Sequence, residues 1–307
     1  MASAGVDRRV CRLDSYVMIA SEVTWVKARS DPSALAWLVG NELRQARERL
    51  GETQATAAKV IGCSTSRMNY LETGRTVQQP DDVRALMTFY GTPDADGERL
   101  ASLVDQPGRR TWWTPWEPVI PEHIRLFVGL EGFAAGEFVY VPLIIPGMLQ
   151  VVGYAAALVD ADQVSPLHHD RVVEFRQARQ QRLLAAEEPL RLAVVIEEDA
   201  LDRPVGGSDV MRAQLDHLLV MAERDNVTIQ VMPRSVAVHD GIVGVFTLLD
   251  FAATQSIGYV AYPDGSVYVP EYHQVAGYLH RRGRLQADAL SEGESREVIA
   301  TRRAALD

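Results

Sequence analysis

Between Thr53 and Arg75 the chain places small, apolar and polar residues as a packed pair of helices would need them. Ala58 is small where the helices would cross, Gly62 permits a tight turn, and Ile61, Met68 and Leu71 point inward to hold the interhelical angle. Thr65, Ser66, Arg67, Asn69 and Tyr70 are then left facing outward near the start of the second helix of the pair. Hydroxyl, amide and guanidinium groups at that place are the equipment that reads base edges in a DNA groove. A plain helical hairpin inside a larger core is the competing reading, but such hairpins do not leave polar residues at successive outward positions with this spacing. Cys63 falls in the turn, where a lone thiol reads as a small apolar filler before it reads as a redox sensor.

Elsewhere the candidate chemistry is thinner. The sequence has no His-Glu-x-x-His, no Gly-x-Ser-x-Gly, no phosphate loop ending in Gly-Lys-Ser/Thr and no paired Cys-x-x-Cys, so no reaction is assigned and neither metal nor cofactor is expected. The neighbouring His168, His169 and Asp170 sit near a helix start, point in different directions and read as solvated. Glu197, Glu198 and Asp199 follow a strand end; with no nucleophile in view, capping or ion pairing comes before catalysis. Arg176 and Arg179, three apart on one helix face, are placed to pair with Glu198, or to line a polar effector or partner pocket with Glu198, Gln180 and His239. A structural Arg–Glu network is the first reading of that set.

The elements that must carry these residues fall into two regimes. Helical spacing runs from Pro32 to Leu50, from Thr53 to Ile61, from Ser64 to about Glu72, from Asp81 to Tyr90 and from Asp94 to Val104, with Gly51, Gly62 and Gly74 as stops. The tract from Gln106 to Arg110 reads as a boundary, and beyond it the pattern mixes types. Ser165 to Ala186 and Ser208 to Arg224, the latter capped by Ser208, read as helices. Leu190 to Ile196, Asn226 to Met232 and Val243 to Phe251 read as strands, and Tyr259 to Tyr262 with Ser266 to Val269 as a hairpin around Pro263-Asp264-Gly265. The expected organisation is an N-terminal arm over 1–33, an all-α domain over 34–107 and a mixed α/β domain over 108–307. A length of 307 residues suits two cores at about 100–200 residues each.

A net charge of −10 argues against a nucleic-acid partner until it is divided by segment. From Gly40 to Pro80 six basic residues face four acidic ones, whereas from Gly108 onward 18 basic residues face 27 acidic ones. One part can meet phosphates while the rest repels them. The uncharged run from Phe138 to Val159 is long enough for a membrane span, but Pro142, Pro146, Gly147 and Gly153 divide it into a strand-like and a helical half, and core is the better reading. Two cysteines, Cys11 and Cys63, form no disulfide framework, and with no convincing signal peptide the expected location is cytoplasmic.

Residues 36 to 105 resemble the lambda-repressor-like, or Xre-type, DNA-binding domain, through Thr53-Gln54, the Ala58, Gly62 and Ser64 spacing, and Glu72-x-Gly74-Arg75. By that resemblance Gln54 contacts phosphate and braces Thr65, while Thr65, Ser66, Asn69 and Tyr70 read the major groove. Arg67, Arg75 and Arg44 are then the phosphate holders. Ala57, where the family usually has leucine, and the bulky Tyr70 depart from the pattern, so no target sequence is carried over. From Trp112 onward, Pro146-Gly147-Met148-Leu149-Gln150, Arg176-x-x-Arg179-Gln180, Pro204-Val205-Gly206-Gly207 and the run from Asn226 to Pro233 resemble the C-terminal domain of actinobacterial Xre-type regulators of the WhiJ-like, antitoxin-like group. The resemblance implies a homodimeric transcriptional regulator on double-stranded DNA whose second domain senses a small molecule or a small partner protein encoded nearby. The alternative is an antitoxin-like protein that sequesters such a partner and binds DNA for autoregulation.

Overall fold

The computed structural model describes residues 31–105, 111–162, 165–263 and 265–306; the arm up to residue 30, the boundary tract 106–110 and the hairpin residue Asp264 lie outside them. The first helix, α1 (Pro32–Leu50), begins where the Asp31 carboxylate accepts the backbone N–H groups of Ser33 and Ala34, with Pro32 at the first helical position. It ends at Gly51 in the left-handed conformation (φ 75°). Thr53 caps α2 (Gln54–Val60) and Ser64 caps α3 (Thr65–Glu72), their side-chain oxygens accepting the N–H of the third residue on. Helices α4 (Pro80–Phe89) and α5 (Asp94–Val104) complete a helical unit around Leu43, Ala57, Ala58, Met68, Leu86 and Leu100.

The second unit opens with a 3-10 turn, Thr114–Val119, and α6 (Glu122–Phe133). There follow β1 (Gly136–Val141), a short turn at Gly147–Leu149, α7 (Val152–Ala161), α8 (Pro166–Gln180), β2 (Arg191–Glu197), α9 (Glu198–Asp202), α10 (Ser208–Met221) and β3 (Val227–Met232). A 3-10 turn at Asp240–Val243 leads to β4 (Phe246–Asp250), β5 (Ile257–Tyr262), β6 (Gly265–Val269), α11 (Tyr272–Asp288) and α12 (Glu292–Ala304). The sheet order is β3-β2-β1-β4-β5-β6; β1, β2 and β3 are parallel and the remaining pairs antiparallel. Helices cover both faces, which is why β2 is apolar from Leu192 to Ile196 instead of alternating: Val194 and Ile196 face Leu215, Leu218 and Ile299, while Val195 faces Phe138, Phe246 and Leu285.

Several boundaries differ from the sequence reading. Helix α8 stops at Gln180 because the chain tightens into turns, with Gln181 and Leu183 donating to Ala178 and Gln180. Ser208 does not cap α10; Gly207, at φ 87°, holds the cap position and Ser208 is already helical. Strand β4 begins at Phe246 because Gly244, at φ 127°, separates it from the preceding turn. The uncharged run from Phe138 to Val159 resolves into β1, a turn and α7, and among the described residues no helix is long and apolar enough to cross a membrane.

The two units share α1. Its inner face builds the helical core through Val39, Leu43 and Ala46, while Ala34 and Leu38 belong to the core of the second unit. Helix α6 approaches α1 so closely at Gly129 that a Cβ there would lie 2.5 Å from Asp31 Oδ2 and 2.6 Å from Ala34 Cβ. Trp113 Nε1 donates to Asp31 Oδ2 at 2.8 Å, and the Trp37 and Tyr268 rings meet at 5.6 Å. Further along, Gln45 Nε2 donates to the Pro270 carbonyl at 2.9 Å while its Oε1 accepts the Tyr272 N–H at 3.2 Å.

Candidate nucleic-acid interface

Helix α3 buries one side, Met68, Leu71 and Glu72, and turns Thr65, Ser66, Arg67 and Tyr70 to the surface, with Asn69 half-buried between. Its seating depends on a close crossing with α1. A Cβ on Gly40 would lie 2.5 Å from the Leu71 carbonyl oxygen, and one on Gly74 (φ 70°) would lie 2.4 Å from Trp37 Cα, so both crossings require glycine.

A buried ion pair fixes the orientation. Arg47 Nε and Nη2 donate to the two carboxylate oxygens of Glu72 at 2.6 and 2.9 Å, and Nη1 donates to the Glu52 carbonyl at 2.8 Å. This two-pronged geometry ties α1 to the last turn of α3. The hydrogen bond to Glu72 holds the Arg47 guanidinium above its ordinary pKa. Gln54 joins the same clamp: its Nε2 donates to Glu72 Oε2 at 2.8 Å and lies 3.4 Å from Asn69 Oδ1. The brace expected between Gln54 and Thr65 is therefore replaced by one to Glu72 and Asn69, because those two residues lie on the α3 face turned toward α2. The sequence reading missed Arg47 and Glu72 as a pair; the available signal was an arginine on the apolar face of α1, one residue after Ala46 and four after Leu43.

The cations divide by position. Arg67 is about half exposed and lies 3.6 Å from Asp82, and the exposed Arg75 lies 5.9 Å from the centre of the Tyr70 ring, so both stand beside the outward face of α3. Arg44 does not. Its Nη2 donates to Asn41 Oδ1 at 2.8 Å and to Glu271 Oε1 at 3.1 Å, at the contact with the second unit. Its expected phosphate role is corrected: Arg44 lies on the flank of α1 that meets the segment leading into α11. Cys63 donates to the Ser64 carbonyl at 3.4 Å, and partial burial pushes its thiol pKa up, which suits a filler better than a reactive thiolate.

The five residues expected to line one pocket in the second unit are not brought together. Arg176 Nη1 donates to Gln150 Oε1 at 3.1 Å, and Gln180 Nε2 to the carbonyls of Gly147 and Gln150 at 3.0 and 2.7 Å, so these two pin the turn after β1. Arg179 makes a two-pronged pair with Glu131 of α6, at 2.8 and 2.5 Å, instead of one with Glu198. Glu198, at the exit of β2, pairs with Arg302 of α12 and accepts the Arg234 N–H at 2.9 Å. His239 lies 3.3 Å from Glu197, which also accepts the Tyr140 hydroxyl at 2.6 Å. The separation is lateral: α8 and α12 pack on the same face of the sheet, α8 against α6 and the turn after β1, α12 over β3, and Glu198 at the exit of β2 lies beside α12. His169 sits between Asp160 and Asp170 at 3.2 and 3.1 Å, and no cluster of three or more ligating side chains that could hold a metal occurs among the described residues.

Comparison with known proteins divides the chain at the same place. Residues 38–100 match the family model of a helix-turn-helix domain, and residues 124–301, more than half of the chain, match that of the domain of unknown function DUF5753. No curated protein and no solved structure matches.

Proposed function

Because the chain belongs to the family defined by the domain of unknown function DUF5753 and carries a helix-turn-helix domain ahead of it, we propose that it is a sequence-specific, DNA-binding transcriptional regulator. The observation that carries the reading is α3, clamped from behind by Arg47–Glu72 while Thr65, Ser66 and Tyr70 stand exposed along its outer face. In this reading the protein is an Xre-type regulator of the WhiJ-like group, works in the cytoplasm, and binds two half-sites as a homodimer, because one short recognition helix reads few bases. The second unit receives the signal, a small molecule or a small protein, and performs no catalysis. Helix α1, common to both cores, is the element through which a change in the second unit reaches the reader.

Selection from a randomised duplex pool tests this directly. The wild type enriches a two-fold-related motif, and Thr65→Ala/Ser66→Ala relaxes it at the contacted positions, each good base contact being worth about 1–3 kcal/mol. A pool that stays unenriched, with weak binding abolished by salt, removes the sequence-specific reading. The antitoxin-like alternative draws on the loop between β3 and β4, where Val238, Ile242 and Val243 are all largely exposed. Stoichiometric co-purification of a small protein, lost on Ile242→Asp, favours that alternative.

A further inference from the structure

A cleft of about 340 Å³ opens on the helical unit between the C-terminal end of α1 and the turn from α4 to α5, lined by Ala46, Arg49, Leu50, Tyr90, Thr92 and Asp96 among others. It is a shallow cleft, open to solvent, whose volume lies at the lower end of the range of small-molecule sites, about 300–1,000 Å³. The turn that forms its rim is held open by Gly91 (φ 72°), where an added Cβ would meet nothing within 4 Å. Two features give the cleft a chemical preference. Arg49 is exposed and makes neither hydrogen bond nor ion pair among the described residues; its charge is felt by Glu42 but not neutralised by contact. Asp96, the acidic residue on the opposite rim, is already paired with Arg99. The cleft therefore presents one guanidinium free of direct contacts among the described residues beside the apolar Leu50 and Ala46.

Its wall leads to the DNA-reading clamp. Tyr90 is 7% exposed, and its hydroxyl is buried without a hydrogen-bond partner among the described residues. That hydroxyl lies within electrostatic reach of both Arg47 and Glu72. One side chain thus lines the cleft, packs in the same core as Met68 of α3, and carries a buried hydroxyl within electrostatic but not hydrogen-bonding reach of the ion pair.

We propose that this cleft binds a small organic carboxylate, held by Arg49 over Leu50, and that the occupant alters DNA affinity by moving Tyr90 against the Arg47–Glu72 clamp. The coupling rests on the DNA-binding reading above; the ligand site does not. An occupant that shifts the Tyr90 ring moves its hydroxyl relative to Glu72, and Glu72 in turn holds Gln54 and Arg47. The two states differ in how α3 is seated, which is the differential interaction that coupling requires.

The test uses the full chain, ¹⁵N-labelled, titrated with phenylacetate to about 10 mM, with uncharged phenylacetamide as control. Expected are saturable shifts at the amides of Leu50, Tyr90, Gly91, Thr92 and Asp96, binding of the amide weaker by about tenfold, and loss of that preference in Arg49→Gln. With ionic strength matched, saturating phenylacetate changes affinity for the selected duplex by about fivefold or more. Tyr90→Phe, which deletes an unpartnered hydroxyl, keeps the shifts and loses the change in DNA affinity. Absent shifts, equal binding of acid and amide, or an unchanged preference in Arg49→Gln overturns the site. A DNA affinity indifferent to phenylacetate, or still responsive in Tyr90→Phe, overturns the coupling. A wild type that binds no duplex at all overturns the DNA-binding reading and with it the coupling, while the titration still decides the site.

Discussion

Two buried arginine–glutamate pairs occupy the hearts of the two units, and they are not balanced alike. In the helical unit Arg47 answers one buried carboxylate, Glu72, with the exposed Glu48 at 3.5 Å, and Gln54 and the Glu52 carbonyl complete the set. In the second unit Arg179 grips Glu131 and lies 5.6 Å from the centre of the Phe127 ring, but a second carboxylate, Glu137 of β1, is buried beside them. Its Oε2 has no hydrogen-bond partner among the described residues. Burial first, and the Glu131 charge next, push its pKa up to about 8 against the partial relief from Arg179. The first cluster is electrically closed and holds geometry. In the second, Arg179 contacts Glu131 and Arg182 lies within electrostatic reach of it, while Glu137, left without a contacting cation, keeps a proton near neutrality.

The largest effect expected from this contrast is on the closed pair. Arg47→Ala strands Glu72 without its counter-ion and costs about 3–5 kcal/mol, read as an earlier denaturation of the helical unit, together with loss of duplex binding. A variant of wild-type stability that still binds DNA would break the claim that the clamp seats α3. Next comes the surplus carboxylate. Its folded pKa, about 8, lies above the ordinary value of 4.5, so the folded chain binds the extra proton and its contribution is fully present below about 4.5 and lost as the pH rises to about 8. Glu137→Gln, neutral at every pH, removes this group's share of that slope in thermal melts run across the window. An unchanged slope would place the proton elsewhere.

The smallest effect separates the two kinds of surface arginine. Arg44→Ala removes a partly exposed contact with Glu271 worth about 0–1 kcal/mol and leaves the salt dependence of DNA binding unchanged. Arg75→Ala lowers the slope of log K against log salt by about 1, as the loss of one phosphate contact should. Equal slopes for the two variants would return Arg44 to the DNA surface.

Much of the helical unit was legible because its determinants are local. The Asp31, Thr53 and Ser64 caps, the Gly51 and Gly62 stops and the inward Ala58, Met68 and Leu71 all act within a few residues of one another. The strands of the second unit were also found, since β2 and β3 carry continuous or alternating apolar runs. Helix α6 was missed because Gly129 and Gly132 interrupt it and Phe127, Val128 and Leu130 leave no polar stripe to reveal a period. Helix α12 announces itself through a capping box, with Ser291 and Glu294 each accepting the other's backbone N–H, a signal that was there to be read.

By itself, then, the sequence determined which segments coil, where they stop, and which side chains α3 must present, since caps, glycine turns and hydrophobic period are properties of neighbours along the chain. Only the tertiary structure decided who meets whom. Arg179 finds Glu131, 48 residues away on a helix that the pattern conceals, and not Glu198, which the order of the strands turns toward Arg302. Arg44 faces Glu271, 227 residues away, because α1 is wedged between two cores. Pairing across such distances is set by sheet order and helix packing, and one sequence carries no local mark of either.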